Sequence, residues 1–185
     1  MQMQPTLLTE RLILRPLTLD DADGIQQQFP HWAVVRYLNA LVPWPYPADG
    51  ARTYLQQHAL PAMARGKEWH WSIRLNSAPE QLIGTISLMD EHDNNRGFWL
   101  GPQWHGLGLM SEASAAVTEY WFDTLKRPLL RVPKAGPNRG SRRISERTGM
   151  RLIRTDYGAF VEGTLPRELW EMTREEWLEA HARAR

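Results

Sequence analysis

The sequence predicts one mixed α/β domain. Apolar and polar residues alternate in EWHWSIRL (68–75) and in QLIGTISLM (81–89), which is the pattern of two neighbouring strands joined by a hairpin loop. Apolar residues recur every three or four positions from Ala113 to Trp121, which is the period of a helix. The resulting order, β–α–α–β–β–β–α–β–α–β–β, contains no repeat, linker or low-complexity tract, so a single domain over residues 1–185 is expected.

Local sequence signals mark where the predicted helices begin and end. Pro30 ends the first helix, and Pro47 and Asp49 open the second. Further along, Asn138 and Gly149 are the expected N-cap and C′ residue of one helix, and a T-x-x-E capping box begins the last. The predicted strands are 11–17, 68–75, 81–89, 96–101, 129–134, 150–154 and 168–172; the predicted helices are 20–29, 47–60, 113–121, 139–149 and 174–182.

Composition narrows the class of protein. Hydrophobic residues make up 42% of the chain and charged residues 23%, which is typical of a folded soluble domain. No uninterrupted apolar run is long enough to span a bilayer, and the first residues lack the pattern of a secretory signal. Cysteine is absent, which excludes disulfides and a cysteine nucleophile and fits a reducing compartment. A cytoplasmic location is therefore expected.

Positive charge is concentrated in one segment. Residues 126–154 carry ten Lys/Arg and one acidic residue, a net charge of +9, whereas the remainder of the chain carries −8. Such a segment is either a solvated basic face or a site for a polyanion, meaning nucleic acid or a phosphorylated cofactor. The acidic remainder argues against general nucleic-acid binding.

Two glycines precede the helix at 113–121, in GPQWHGLGLMSEA (101–113). Glycine costs backbone entropy, so Gly106 and Gly108 need a local reason. One interpretation is a flexible turn between a strand and a helix. The other is an anion cradle, in which bare backbone N–H groups and the helix N-terminus point at a phosphate.

Two prolines lie at strand ends. Pro102 follows FWL and Pro133 follows LLRV, and a proline cannot donate a hydrogen bond to a strand ladder. If the two strands are neighbours, they part at their C-terminal ends and leave a gap where an α/β sheet binds a ligand. The alternative is that each proline simply ends its own strand.

Several motifs, in order, resemble one superfamily. QWHGLG (103–108) fits Q/R-x-x-G-x-G/A, the acyl-CoA pyrophosphate loop of the GCN5-related N-acetyltransferases (GNAT). NRGS (138–141) followed by RTGM (147–150) resembles the next block of that superfamily. The start LLTERLILRPLTLDDAD, the stretch VPWPYPADGARTYL and the ending WEMTREEW are similar to its RimJ/RimL branch, so the resemblance runs from Leu7 to Trp177.

The resemblance implies a fold and a cofactor. The fold is a mostly antiparallel central sheet flanked by helices, with parallel fourth and fifth strands splayed to admit acyl-CoA. The cofactor is acetyl-CoA, with its pyrophosphate on the glycine loop and its pantetheine arm beside the fourth strand. The implied cofactor-binding residues are Phe98, Leu100, Gln103, Trp104, His105, Gly106, Leu107, Gly108, Leu109, Asn138, Arg139, Ser141 and Arg143.

The implied reaction is direct transfer of an acetyl group from thioester to amine. The resemblance places Ser141 near the sulfur as a general acid; otherwise Ser141 is a solvated serine. Many relatives carry a glutamate base just before a Gly-aromatic pair, where this chain has Arg96, so Glu91 and His92 are the nearby candidates to assist a base. Glu112 is explained by the helix dipole alone. No histidine spacing fits a metal site, so none is expected.

The acceptor site is expected to use aromatic side chains of the N-terminal half: Trp32, Trp44, Tyr46, Trp69 and Trp71. The leading hypothesis is acetylation of a protein or peptide N-terminal α-amine. A small-molecule amine acetyltransferase and a catalytically silent CoA-binding module are the alternatives. Acyl-CoA and an amine acceptor are the expected partners; a homodimer is left open, a membrane is not expected, and nucleic acid is expected only through a ribosomal substrate.

Overall fold

The computed structural model describes residues 4–184; residues 1–3 and 185, which belong to the predicted domain 1–185, lie outside it. No helix within 4–184 combines the length and apolar character needed to cross a membrane. The strands are β1 Leu7–Leu8, β2 Leu12–Pro16, β3 Glu68–Leu75, β4 Gly84–Met89, β5 Arg96–Leu100, β6 Leu129–Ala135, β7 Arg151–Phe160 and β8 Gly163–Thr173. The α-helices are α1 Ala22–Gln28, α2 Trp32–Val35, α3 Gly50–Tyr54, α4 Leu60–Ala64, α5 Leu109–Glu119, α6 Arg139–Arg147 and α7 Arg174–Arg183.

The strands form two antiparallel sheets. The first has the order β1-β2-β3-β4-β5, and the second has the order β6-β8-β7. The mixed α/β fold with a mostly antiparallel sheet is thus confirmed. No ladder joins β5 to β6 within the described residues, so the parallel relation of these two strands stays a prediction.

Helix α5 covers one face of the first sheet. Ala113 and Val117 are fully buried against Trp71, Ile73 and Ile86, which share that face. The small side chain of Ala113 allows the helix to lie close to the sheet, because no long side chain separates them. The predicted apolar faces of β3 and β4 are therefore the faces that α5 buries.

The opposite face of β3 is also buried, although its residues are polar. Helices α1, α3 and α4 lie on that side, so His70, Ser72 and Arg74 do not reach solvent. Arg74 donates to Asp21 at 2.5 Å, to Ser72 at 3.1 Å and to two carbonyls of the β3–β4 loop. These acceptors offset the cost of burying the guanidinium.

The predicted helix 47–60 begins at Gly50 and continues to Ala64. A π-helical turn, Leu55–Ala59, joins α3 to α4, and Pro61 lies directly after it. A proline normally interrupts a helix because it has no N–H to donate. The wider π turn changes the hydrogen-bond pattern just before Pro61, so the helix passes the proline instead of ending.

The β7–β8 hairpin is much longer than the predicted strands 150–154 and 168–172. Its tip holds the chain between α2 and α3, because Ala40 donates to the carbonyl of Ala159, and Val161 donates to the carbonyl of Leu38. An ion pair of 2.7 Å between Arg36 and Glu162 strengthens this contact. The second sheet thereby fixes a segment that packs beside the first.

The predicted gap lies between β5 and β6. The two strands meet at one end, where the N–H of Asn95 donates to the carbonyl of Arg131 at 2.8 Å and the Asn95 side chain accepts from the N–H of Arg131. Beyond this clip they belong to different sheets. Pro102 ends β5, as expected, but Pro133 lies inside β6, an edge strand that tolerates a residue without an N–H.

Candidate active site

Two cavities meet at β5. The first, which we call the loop cavity, has a volume of about 540 Å³ and lies between the end of β5 and the N-termini of α5 and α6. The second, the sheet cavity, has a volume of about 740 Å³ and lies over β3, β4 and β5, roofed by α1, α3 and the chain between α2 and α3. Leu38, Phe98 and Trp99 line both cavities.

The glycine loop presents a row of free donors. Gly106 and Gly108 both have a φ of +76°, a left-handed conformation that only glycine adopts readily. Within residues 4–184, the backbone N–H groups of residues 106–111 have no protein acceptor. Six consecutive bare N–H groups at the start of α5, together with the positive end of its dipole, form a site for an anion.

Arg11 stabilises the glycine loop through contacts with Leu107 and Glu112. Its guanidinium donates to the carbonyl of Leu107 at 2.9 Å and to the carboxylate of Glu112 at 2.8 Å. Burial raises the pKa of Glu112, but hydrogen bonds from Thr9 and Arg11 lower it below its usual value overall. Glu112 therefore anchors the loop, and no catalytic role is needed to explain it.

Helix α6 forms the other wall of the loop cavity. The Asn138 side chain accepts from the N–H of Ser141 at 3.2 Å, so Asn138 is the N-cap, as predicted. The buried Lys134 lies beneath the helix and donates to the carbonyl of Ser141 at 2.8 Å and to the hydroxyl of Ser145. Burial, with the nearby charge of Arg96, lowers the pKa of Lys134 to about 7.

Arg96 is fully buried and contributes nothing to proton transfer from a cavity. It donates to the Thr118 hydroxyl at 2.8 Å and lines neither cavity. Burial lowers its pKa to about 10, and no carboxylate within residues 4–184 pairs with it. Its position on the α5 face of β5 gives it a packing role in this chain.

Most of the positive charge in residues 126–154 is neutralised by ion pairs. Arg127, Arg131, Arg151 and Arg154 pair with carboxylates on β7, β8, α7 or the β4–β5 turn, and Arg142 pairs with Glu168. Three exposed arginines in the segment have no carboxylate partner among the described residues, and all three line the loop cavity: Arg139, Arg143 and Arg147. Their spacing of four residues puts them along one side of α6.

The loop cavity brings together most of the predicted cofactor-binding residues. Eleven of the thirteen line it: Phe98, Leu100, Trp104, His105, Gly106, Gly108, Leu109, Asn138, Arg139, Ser141 and Arg143. Gln103 and Leu107 are exposed and do not line it. Residues 33, 34 and 36–38 and Arg147 also line it and were not predicted; the spacing of Arg147 from Arg143 is a signal that could have identified it.

The sheet cavity has an apolar wall and a polar floor. On the floor, the Oε2 atom of Glu68 lies 2.5 Å from the Nε2 atom of His70. The hydrogen bond to His70 lowers the pKa of Glu68, and nearby positive charges add to this effect. Tyr54 lies at the roof with its ring centroid 6.4 Å from that of His70. Alternation in 68–75 puts His70 on the polar face of β3, and nothing in the sequence indicates that helices cover that face.

The residues suggested to assist proton transfer lie elsewhere. Glu91 and His92 are on the exposed turn between β4 and β5, where the Nδ1 atom of His92 lies 3.0 Å from Asp93. Neither lines a cavity. Their side chains are in solvent, so this geometry does not favour the suggestion that they assist the base.

The predicted acceptor aromatics divide into three groups. Tyr46 lines the sheet cavity and contacts Phe29 edge-on at 4.9 Å. Trp32 and Trp44 pack against each other at 5.8 Å and are about 40% exposed, but line neither cavity. Trp71 is fully buried and Trp69 packs edge-on against Trp121, so both belong to the core on the α5 side. That placement corrects the expectation for the last two.

Comparison with known families agrees with this geometry. Residues 11–151 match the family model described as "Acetyltransferase (GNAT) domain". The chain belongs to this family.

Similar proteins include other acetyltransferases. The acetyltransferase is 26% identical over 150 residues to the "Probable N-acetyltransferase YjcK" of Bacillus subtilis (strain 168), covering 75% of this chain and 79% of that one. Its fold is similar to that of a ribosomal-protein-S5-alanine acetyltransferase from Vibrio fischeri (TM-score 0.79, 14% identity, 94% and 98% coverage). It is also similar to that of a RimL ribosomal L7/L12 alpha-N-protein acetyltransferase in complex with coenzyme A (TM-score 0.76, 15% identity, 92% and 98% coverage). Both structures share the fold of this chain over nearly its whole length.

Gly106→Ala is expected to weaken CoA binding at least about tenfold. An alanine disfavours a φ of +76°, so the loop N–H groups rotate away from the anion site. The matched control is Gly66→Ala, because Gly66 has a φ of +67°, open space around it and no place in either cavity. Calorimetric titration with CoA measures the affinity. Equal affinities of the two variants would contradict the loop assignment.

Arg139, Arg143 and Arg147 are expected to carry the salt dependence of CoA binding. Replacing each by glutamine should weaken binding about two- to fivefold, the range typical of exposed ion pairs, and should reduce the loss of affinity at high salt. Arg142→Gln is the control, because Arg142 is already paired with Glu168. A normal salt dependence in all three variants would show that this stripe serves another polyanion.

Lys134→Met is expected to change how stability depends on pH. Since the pKa of Lys134 is lowered to about 7 in the folded chain, the unfolded chain binds more protons between pH 7 and pH 10. The free energy of unfolding of the wild type should therefore rise relative to the variant, by about 2 kcal/mol from pH 7 to pH 9. Denaturant titrations at both pH values measure this difference, and parallel behaviour of the two proteins would contradict the assignment.

Proposed function

We propose that the chain transfers an acetyl group from acetyl-CoA to a primary amine, with the cofactor in the loop cavity and the acceptor in the sheet cavity. The observation that carries this proposal is the shared wall of the two cavities at Phe98 and Trp99. A donor and an acceptor that enter from different sides would meet there. Direct transfer in a ternary complex suits such a junction and a chain without cysteine.

The loop cavity fits CoA in its charge and its shape. The six bare N–H groups at the start of α5 suit a pyrophosphate, and the arginine stripe on α6 suits the remaining phosphate. The edge of β5 that faces the gap offers backbone polar groups at Phe98 and Leu100 to the amides of the pantetheine arm. When bound, acetyl-CoA supplies an acetyl group activated as a thioester.

Ser141 is proposed to protonate the leaving sulfur. It lies in the first turn of α6, is largely buried and lines the loop cavity. Its N–H and its carbonyl are held by Asn138 and Lys134, so its backbone is fixed beside the loop cavity. A hydroxyl in such a partly enclosed site is suited to proton donation.

The proposed acceptor is an N-terminal α-amine of a peptide or protein with an apolar first residue. Eleven of the 24 residues that line the sheet cavity have large apolar or aromatic side chains: Leu17, Ile25, Phe29, Leu38, Leu41, Val42, Tyr46, Tyr54, Met89, Phe98 and Trp99. An α-amine, with a pKa of about 7.7–8.0, is easier to deprotonate than a lysine amine near 10.4 by roughly 3 kcal/mol. The similarity to ribosomal-protein acetyltransferases supports this choice.

A small apolar amine is the second candidate. The cavity volume of about 740 Å³ is within the range of sites that enclose a small molecule. Recognition of the amine would be the same in both cases, but a peptide must leave the cavity through its mouth, beside Leu41 and Pro43.

The test compares acceptors that differ only in their amine. One peptide has a free α-amine, a phenylalanine first and no lysine; its partner is blocked at the α-amine and carries one lysine; 2-phenylethylamine represents a small acceptor. At pH 7 we expect acetylation of the free α-amine at least about tenfold faster than of the lysine, because more of it is neutral. Mass spectrometry identifies the acetylated nitrogen.

The other outcomes separate the alternatives. Turnover confined to 2-phenylethylamine selects the small-molecule candidate. If only the lysine peptide is acetylated efficiently, both the α-amine and the small-amine candidates are wrong. Binding of CoA without turnover of any amine indicates a silent CoA-binding module. In the same assay Ser141→Ala should lower kcat about tenfold or more with little change in acetyl-CoA affinity; a loss of affinity alone would assign Ser141 to binding.

A further inference from the structure

We propose that His70, oriented by Glu68, is the general base that takes the proton from the acceptor amine. This inference rests on the proposed function and identifies a residue that the motifs of the sequence do not indicate. Three observations carry it: the hydrogen bond between the two side chains, their place in the floor of the sheet cavity, and the open path from His70 to the junction of the cavities.

The hydrogen bond determines which nitrogen of His70 is basic. The Nε2 atom lies 2.5 Å from Glu68, so the Nε2–H donates to the carboxylate. In the neutral ring, the proton on Nε2 leaves a lone pair on Nδ1, which is then the nitrogen able to accept a proton. Glu68 also stabilises the positive charge that His70 acquires. Glu68 is therefore a positioning residue and His70 the catalytic one.

Among the titratable side chains around Glu68, His70 is the one suited to act as the base. Tyr54 faces it from α3, and partial burial, with the charge of Glu68, raises the pKa of Tyr54 to about 12, so its hydroxyl stays protonated at neutral pH. His58, on the π turn, and Arg65, after α4, contribute positive charge near Glu68 and help to keep that carboxylate ionised. The neighbours of His70 on the adjacent strands are Leu17, directly after β2, and Ser87 on β4, neither of which is charged.

The path to the junction runs straight across the sheet. His70 pairs with Ser87 on β4, and Ser87 pairs with Gly97 on β5, so the three residues form one row on the cavity side. Neighbouring strands lie about 4.8 Å apart, so the row spans about 10 Å between the backbones of β3 and β5. Gly97 has no side chain to block this row, and Phe98, the next residue, lines both cavities.

The proton balance is complete with groups already described. The acceptor ammonium gives one proton to Nδ1 of His70 through water along the Ser87 row, and the neutral nitrogen forms a bond to the acetyl carbon as the carbon–sulfur bond breaks. The leaving thiolate takes the proton of the Ser141 hydroxyl, and the nitrogen gives its second proton to the Ser141 oxygen, which restores the hydroxyl. His70 returns its proton to solvent through the mouth of the sheet cavity, so each turnover releases one proton.

The experiment replaces His70 in an enzyme that acetylates a defined amine. His70→Gln is expected to lower kcat at least about 100-fold, with acetyl-CoA affinity unchanged and with loss of the decrease in kcat/KM at low pH that reports a protonated base. Glu68→Gln should lower kcat less, about tenfold. The control is His31→Gln, because His31 is exposed and lines neither cavity.

Chemical rescue of activity distinguishes loss of the base from loss of the fold. Added imidazole should restore activity to His70→Ala, whose truncated side chain leaves space in the cavity, and should leave the control variant unchanged. The opposite result would be that His92→Gln loses both its activity and the decrease in kcat/KM at low pH, while His70→Gln keeps both. The base would then be on the β4–β5 turn and the inference would be wrong. Absence of turnover by the wild type with every amine would instead contradict the proposed function, and the inference with it.

A measurement without turnover tests the same geometry. Long-range ¹H–¹⁵N spectra of the His70 ring should show the proton on Nε2 and a bare Nδ1 in the neutral form, and Glu68→Gln should alter this preference. A wild-type ring protonated on Nδ1 would overturn the assignment, because the nitrogen that is not bonded to Glu68 would then have no lone pair to offer.

Discussion

The separation of β5 from β6 is the constraint on which the rest of the structure depends. An open strand edge inside a protein leaves backbone donors and acceptors unpaired, which is costly unless a ligand or solvent satisfies them. The Asn95–Arg131 clip holds the two strands together at one end, and Pro133 removes one donor from the exposed edge of β6. The gap therefore follows from the backbone pairing of β5 and β6, and the β5 residues Phe98 and Trp99 line both cavities.

The cations near this gap differ from those elsewhere in whether they have a carboxylate partner. Cations that lie on the outside of the second sheet are paired with carboxylates, whereas the arginines of α6 that face the loop cavity have no such partner among the described residues. Lys134 is buried beneath the same helix, where its ammonium holds the carbonyl of Ser141. A buried cation with a depressed pKa reduces stability at neutral pH, and such a cost is typical of functional sites.

The loop cavity could largely be predicted from the sequence because its features are local. The left-handed glycines, the Asn138 cap and the spacing of the arginines each depend on residues within one or two turns. The sheet cavity could not be predicted, because β3 and the α3–α4 helix are distant from its other walls in the chain. Alternation in 68–75 identified the two faces of β3, but the covering of the polar face by helices is a tertiary effect, and it conceals His70.

The alternation of β5 explains how one short strand serves both cavities. Arg96, Phe98 and Leu100 point towards α5, whereas Gly97 and Trp99 point towards the sheet cavity. Phe98 lies at the edge where the strands part, so it reaches both sides. In the proposed enzyme the thioester approaches along the open edge of β5 and the amine approaches over its face, and the two reactants meet without either having to pass the other. The arrangement requires that both cavities be filled before the carbon–nitrogen bond forms.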